Sequence, residues 1–273
     1  MQATTILEPG GGRATAPRGF ALFQYGFRPF FLLAGLHAAL AVPIWLAIWR
    51  GDLGWQPAMP ASIWHAHEML FGFATAALAG FLLTAVPNWT GIAAIKGPRL
   101  MVLVAVWLAA RIAAYGPSAL VFAVIDCAFL PLLALMVGPG IILRNGKRNA
   151  VMVAILVLLA VVNAAVQFDG FGITGLSAAW ALRLGIAVFA LMVGIIGGRI
   201  VPAFTLGGMR MAGRPLEITP SRPVELGAIL SLAAFALATA AQAPDWALGV
   251  VAAIAGCFNL LRFLRWQGWK SWR

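Results

Sequence analysis

The sequence predicts an all-α, polytopic transmembrane bundle of about eight spans with both ends on the cytoplasmic side. Three observations carry this. Of 273 residues, 62% are hydrophobic and only 10% are charged, whereas soluble domains carry about a quarter charged residues and could not hide so much apolar surface. Apolar runs recur at the roughly 17–25 residues needed to cross hydrocarbon. Basic residues alternate with those runs, so the net charge of +11 marks membrane topology rather than a nucleic-acid partner.

In chain order, the spans are expected at Phe30–Trp49, Trp64–Val86, Leu100–Tyr115, Ala119–Leu143, Ala150–Val166, Leu176–Ile196, Leu226–Ala243 and Trp246–Leu264. Gly51–Pro60, Gly91–Pro98 and Asp169–Gly175 carry the glycine, proline and charge of turns. Leu100–Tyr115 is short and contains Arg111, and the basic, proline-interrupted stretch from Arg199 to Arg222 is expected to form an ordered cytoplasmic loop. By domains, 1–29 is an N-terminal cytoplasmic tail, 30–264 the transmembrane bundle and 265–273 a basic cytoplasmic tail. Met1–Gly19 is polar, lacks the pattern of a secretory signal peptide and is expected to be a mobile tail. Cys127 and Cys257 lie inside apolar runs, which implies neither a disulfide framework nor a CxxC metal motif.

These spans place Arg13, Arg18, Arg28, Lys96, Arg99, Arg144, Lys147, Arg148, Arg199, Arg210, Arg214, Arg222 and the tail cations from Arg262 to Arg273 on one side. Arg50 falls in a link on the other side, with Asp52, Asp169 and Asp245. A missed or invented span would break this alternation. The positive-inside rule therefore makes the basic side cytoplasmic. No internal repeat of a transporter type is visible.

Ionisable groups inside spans are costly and default to functional candidates. They are His37, His65, His67, Glu68, Arg111, Asp126 and Arg183. Most are expected in one polar layer near the outer face. His37 is placed deeper, as a hydrogen-bonded packing residue, and Arg111 and Asp126 could neutralise each other across their helices. His65 and His67, two residues apart on a helix, point about 200° apart and cannot share one metal unless the segment unwinds. Glu68, Gly72, Ala76, Gly80 and Thr84 form a small-residue stripe that lets a helix or a flat macrocycle approach. His65 shares that stripe, while His67 is expected to turn toward Leu70, Phe71 and Ala74. On this count His65 is the better inward-facing ligand. The spacing of Gly194 and Gly198 reads as helix packing.

Tyr25-Gly26-Phe27-Arg28-Pro29-Phe30-Phe31-Leu32, Trp64-His65-Ala66-His67-Glu68-Met69, Thr84-Ala85-Val86-Pro87-Asn88-Trp89-Thr90-Gly91 and Gly197-Gly198-Arg199-Ile200-Val201-Pro202-Ala203-Phe204-Thr205 together resemble the NnrS family. The resemblance implies a bacterial inner-membrane protein containing haem and copper and linked to denitrification, nitric oxide and nitrosative stress; it leaves the chemical activity open. His65 and His67 would be haem or copper ligands, with Glu68 beside them. Arg28, Pro29, Pro87, Asn88, Trp89, Arg199 and Pro202 would be motif positions without assigned chemistry. Imidazole suits both metals, and Arg111 and Arg183 could pair with haem propionates. Family members continue with further spans and histidines, so the resemblance implies a shortened member, a truncated gene product, or one whose site is completed by a membrane partner or a second copy. The rival class is a metal-free permease or channel using a polar pathway of His65, Glu68, Arg111, Asp126 and Arg183.

Overall fold

The computed structural model describes residues 20–145, 147–173 and 175–272, and the side chains of these except 144, 145, 147, 148, 271 and 272. The tail expected over Met1–Gly19 lies outside the described residues, as do Arg273 and the side chains of Arg144, Lys147 and Arg148. The described chain is helical, with no strand. A short 3₁₀ turn, Ala21–Gln24, precedes α1, Phe27–Arg50, so part of the expected tail is already helix. Then come α2, a continuous helix over Ala61–Thr90, α3, Pro98–Ala113, α4, Ala119–Asn145, and α5, Lys147–Asp169. The chain continues through α6, Ala178–Met211, α7, Arg222–Ala240, and α8, Asp245–Trp266.

Local chemistry sets many of these ends. Gly51 and Gly91 adopt left-handed conformations, with φ of 78° and 70°, and close α1 and α2. Pro98 starts α3 just after Gly97, where a missing backbone donor costs nothing. Ser177 caps α6 by accepting the Trp180 backbone N–H at 3.1 Å.

Seven of these helices are long and apolar enough to cross a membrane, so the chain is a multi-pass membrane protein. The remaining expected span, α3, is 16 residues, or about 24 Å by helical rise, shorter than a hydrocarbon core of about 30 Å. Its polar end is buried inside the protein, so Arg111 need not reach water. α6 corrects the expected loop. This 34-residue helix continues past Arg199 and Pro202 to Met211, and the link to α7 begins only at Ala212. Pro202 removes one intrahelical hydrogen bond, and the helix continues because flanking residues keep theirs and Arg199 is tied to Asn149 of α5 at 2.8 Å.

Consecutive helices pack as neighbours except α2 and α3, which meet mainly through side chains, and α2 additionally packs on α4 and α6. Thus α2 is the central element: 61% of its most apolar stretch is buried, against 17% for α7 and 11% for α8. Phe30, Leu82, Leu83, Leu103, Leu130 and Leu156 fill the core around it. The small-residue stripe of α2 is occupied by neighbouring side chains. A Cβ at Gly80 would come within 2.9 Å of the Phe31 ring, and one at Gly72 within 2.5 Å of His37 Nε2 and 2.8 Å of Arg111 Nη1. The stripe therefore packs α1 and α3 and leaves no room for a macrocycle.

Candidate functional site

Most of the charged residues of the spans converge on the first half of α2, where the helix is locally π-helical over Glu68–Ala74. Such a wide turn costs stability and tends to mark functional positions. Glu68 is fully buried and accepts from Arg111 Nη1 at 2.7 Å. Arg111, from the last turn of α3, also pairs through Nη2 with Asp126 Oδ1 of α4. The fully buried His67 ring places Nδ1 3.1 Å from Glu68 Oε1 and Nε2 3.1 Å from Asp126 Oδ2. Asn163 and Gln167 of α5 complete the network, their side-chain amides donating to Asp126 Oδ2 at 2.8 and 2.9 Å. From α1, His37 Nε2 lies 3.2 Å from Glu68 Oε2, at ion-pair distance but outside hydrogen-bond angles. Trp107 holds the layer to α2 by donating from Nε1 to the Gly72 carbonyl at 3.1 Å, and stands edge-on to His37.

This arrangement is electrostatically closed. Both ring nitrogens of His67 face carboxylate oxygens, a geometry that a doubly protonated ring satisfies by donating on both sides. The imidazolium and Arg111 then offset Glu68 and Asp126 without any charge left over. An isolated charge in a medium this dry would be far costlier than a compensated group of four.

Several expectations are corrected here. The Arg111–Asp126 pairing is present, but Glu68 shares the same guanidinium. His37 belongs to the network rather than to a separate depth: it sits near the middle of α1, and Glu68 lies two turns into α2. The two histidines exchange the roles their spacing suggested. His67 is buried in the network, while His65 is partly exposed and stacked on Trp45, with ring centroids 4.0 Å apart. A count of helix faces assumes one face toward protein and one toward lipid. Helix α2 is central, so the side away from the small-residue stripe is also packed, and the π-helical turn from Glu68 changes the angular register. Arg183 does not reach this network; it is exposed, at the outer surface of α6. Asn163 and Gln167 escaped notice because they are uncharged. Their signal was present as two amides four residues apart in an otherwise apolar run.

Three of the four sequence motifs lie at the opposite end of the bundle. Arg28 donates to the Ala21 carbonyl at 2.7 Å and lies 5.0 Å from the Tyr25 ring centroid, while Thr84 and Thr90 donate to backbone carbonyls within α2. The motif around Arg199 sits in the second half of α6. The Trp64–Met69 motif alone supplies the network. A family model described as NnrS protein matches residues 21–273.

The chain belongs to the NnrS family.

No curated protein and no solved structure matches it. For the haem and copper that the NnrS resemblance implies, the histidines differ in fitness. His67 has both ring nitrogens engaged; His37 Nε2, like His65 Nδ1, makes no hydrogen bond, but it is buried and faces the Glu68 carboxylate at 3.2 Å. His65 makes no hydrogen bond to the described residues, and its buried Nδ1 has no partner. A buried imidazole nitrogen left unsatisfied calls for a missing partner. One axial imidazole is therefore on offer. Among the described residues there is no group of three or more His, Cys, Asp or Glu placed to hold a metal ion, so copper has no ligand set there. Arg111 is committed to two carboxylates, and Arg183 is exposed and lines a separate cavity at the start of α6.

Proposed function

We propose that this NnrS-family chain is a bacterial inner-membrane protein that binds haem through His65 and serves the response to nitric oxide and nitrosative stress that accompanies denitrification. The observation that carries this reading is the difference between the three histidines: His65 alone combines partial exposure with an unsatisfied ring nitrogen. Haem there would supply an iron able to bind a small diatomic molecule such as nitric oxide. The chain's own residues supply the setting. Trp45 stacks on the imidazole and fixes its plane, and the network one turn deeper anchors this helix segment against α3, α4 and α5. Glu68, Asp126 and His67 hold their charge and proton in mutual contacts, away from bulk water.

The test is a reduced-minus-oxidised spectrum of the purified full chain produced with haem supplied. Wild type and His37→Ala are expected to carry a haem signal and His65→Ala to lack it while keeping its thermal unfolding midpoint. Haem retained by His65→Ala, or wild-type protein without haem, overturns the assignment.

A second reading is favoured by one cavity. A space of about 290 Å³ beside the outer end of α4 and α5 is lined by Met59, Pro60, Phe122, Gln167 and Asp169. Phe122 touches the His67 ring edge-on and Gln167 bonds to Asp126, so the cavity ends on the network. A metal-free permease would use it as the mouth of a polar pathway; solute uptake by reconstituted metal-free protein, abolished by Gln167→Leu, is the expected sign.

A further inference from the structure

A second polar cavity lies away from the network, where α6 begins and the α7–α8 hairpin turns. It measures about 550 Å³ and is walled by Trp180, Arg183, Thr239, Gln242, Asp245 and Leu248. Its frame is fixed, because Trp180 Nε1 donates to the Thr239 carbonyl at 3.0 Å and ties α6 to α7. Arg183 and Asp245 line the same space, yet among the described residues they form no ion pair with each other or with any other side chain. An unpaired cation and an unpaired anion facing one cavity fit a ligand carrying both charges.

Their depths decide which charge of the ligand goes where. Arg183 is five residues into α6, about 7.5 Å below its start by helical rise, whereas Asp245 opens α8. The cationic partner is thus nearer the hydrocarbon and the anionic partner nearer water. The exposed Trp246 beside them suits the headgroup level. In an ethanolamine phospholipid the phosphate adjoins the glycerol and the ammonium lies beyond it, so the charges run in the complementary order. A glycerol headgroup would leave Asp245 without a cation, and a choline ammonium has no N–H to donate to it.

We propose that this cavity binds the phosphoethanolamine headgroup of a membrane phospholipid, with Arg183 on the phosphate and Asp245 on the ammonium. A guanidinium grips phosphate through paired charge-assisted hydrogen bonds. The acyl chains would descend along the lipid-facing surface below Leu248. The site is independent of haem and of the buried network.

The full chain, purified in detergent, is incubated with equal amounts of phosphatidylethanolamine, phosphatidylglycerol and phosphatidylcholine, and retained lipid is read by native mass spectrometry. Wild type is expected to retain phosphatidylethanolamine preferentially. Arg183→Gln should weaken that retention about tenfold, the value of one charge-assisted contact. Asp245→Asn should lose the preference, retaining phosphatidylglycerol equally well. Both side chains are exposed, so unchanged unfolding midpoints show that the variants fold. Soluble phosphoethanolamine should compete poorly. Competition at lipid-like concentrations would instead make the occupant a free phosphate ester and overturn the lipid assignment. Preference for phosphatidylglycerol in wild type, or retention indifferent to both substitutions, overturns the site.

Discussion

Two regions of the bundle bury an arginine, and they do so differently. Around α2, Arg111 is shared by Glu68 and Asp126, and His67, His37, Asn163 and Gln167 gather round the two carboxylates, drawing on five helices. In the peripheral hairpin, Arg262 of α8 meets one carboxylate, Glu225 of α7, at 2.6 Å, and gives its other nitrogen to the Gly194 carbonyl of α6 at 2.6 Å. Glu225 remains one-third exposed, while Glu68 has no exposure at all. The comparison separates a minimal from an elaborate way of burying a charge. A single pair backed by a main-chain carbonyl and the Trp266 ring suffices to dock a helix. Around α2 the same task is spread over two carboxylates, a guanidinium, a histidine, two amides and a π-helical turn.

The largest expected effect tests the sharing of Arg111. Arg111→Gln strands two buried carboxylates, and removing one partner of a buried pair typically costs about 3–5 kcal/mol. Asp126→Asn leaves Arg111 with Glu68 and should cost distinctly less, read as the smaller drop in unfolding midpoint of the purified protein. Equal losses would show that Glu68 does not share the guanidinium. The hairpin should respond more mildly. Arg262→Gln leaves Glu225 partly hydrated, so about 1.5–3 kcal/mol is expected, the range for a hydrogen bond to a charged group. A loss matching that of Arg111→Gln would erase the distinction between the regions.

The helices were legible because crossing hydrocarbon demands length and apolarity, and both are written in composition. The Arg111–Asp126 pair was legible for the same reason, since two opposite charges in apolar spans can seldom afford to remain apart. The C-terminal half of α6 was not. Gly207, Gly208 and Arg210 look like loop residues once a span is long enough, and the turn that ends the helix is set by Ala212 and by Gly213 at φ 70°. Which histidine would enter the network was also hidden. That choice depends on α2 being surrounded and on a π-helical turn, and both arise from packing against helices distant in sequence. Asn163 and Gln167 show the limit of searching by charge, because amides satisfy a buried carboxylate as well as a cation can.

The smallest effects come from glycines, and they sharpen the same comparison. A Cβ at Gly72 meets His37 Nε2 and Arg111 Nη1 inside ordinary contact distance, whereas one at Gly249 on α8 meets nothing within 4 Å. Both positions are helical, so alanine brings each the same gain in helix propensity, up to about 1 kcal/mol. At Gly249 nothing opposes that gain, and Gly249→Ala should leave the unfolding midpoint unchanged or slightly raised. At Gly72 the methyl must push aside two side chains already held by carboxylates, and overpacking of this kind costs about 1–3 kcal/mol. Gly72→Ala should therefore be net destabilising, and because the displaced groups are His37 and Arg111, the loss should shrink when His37 is also replaced by alanine. Undiminished loss in that double variant would place the clash on Arg111 alone.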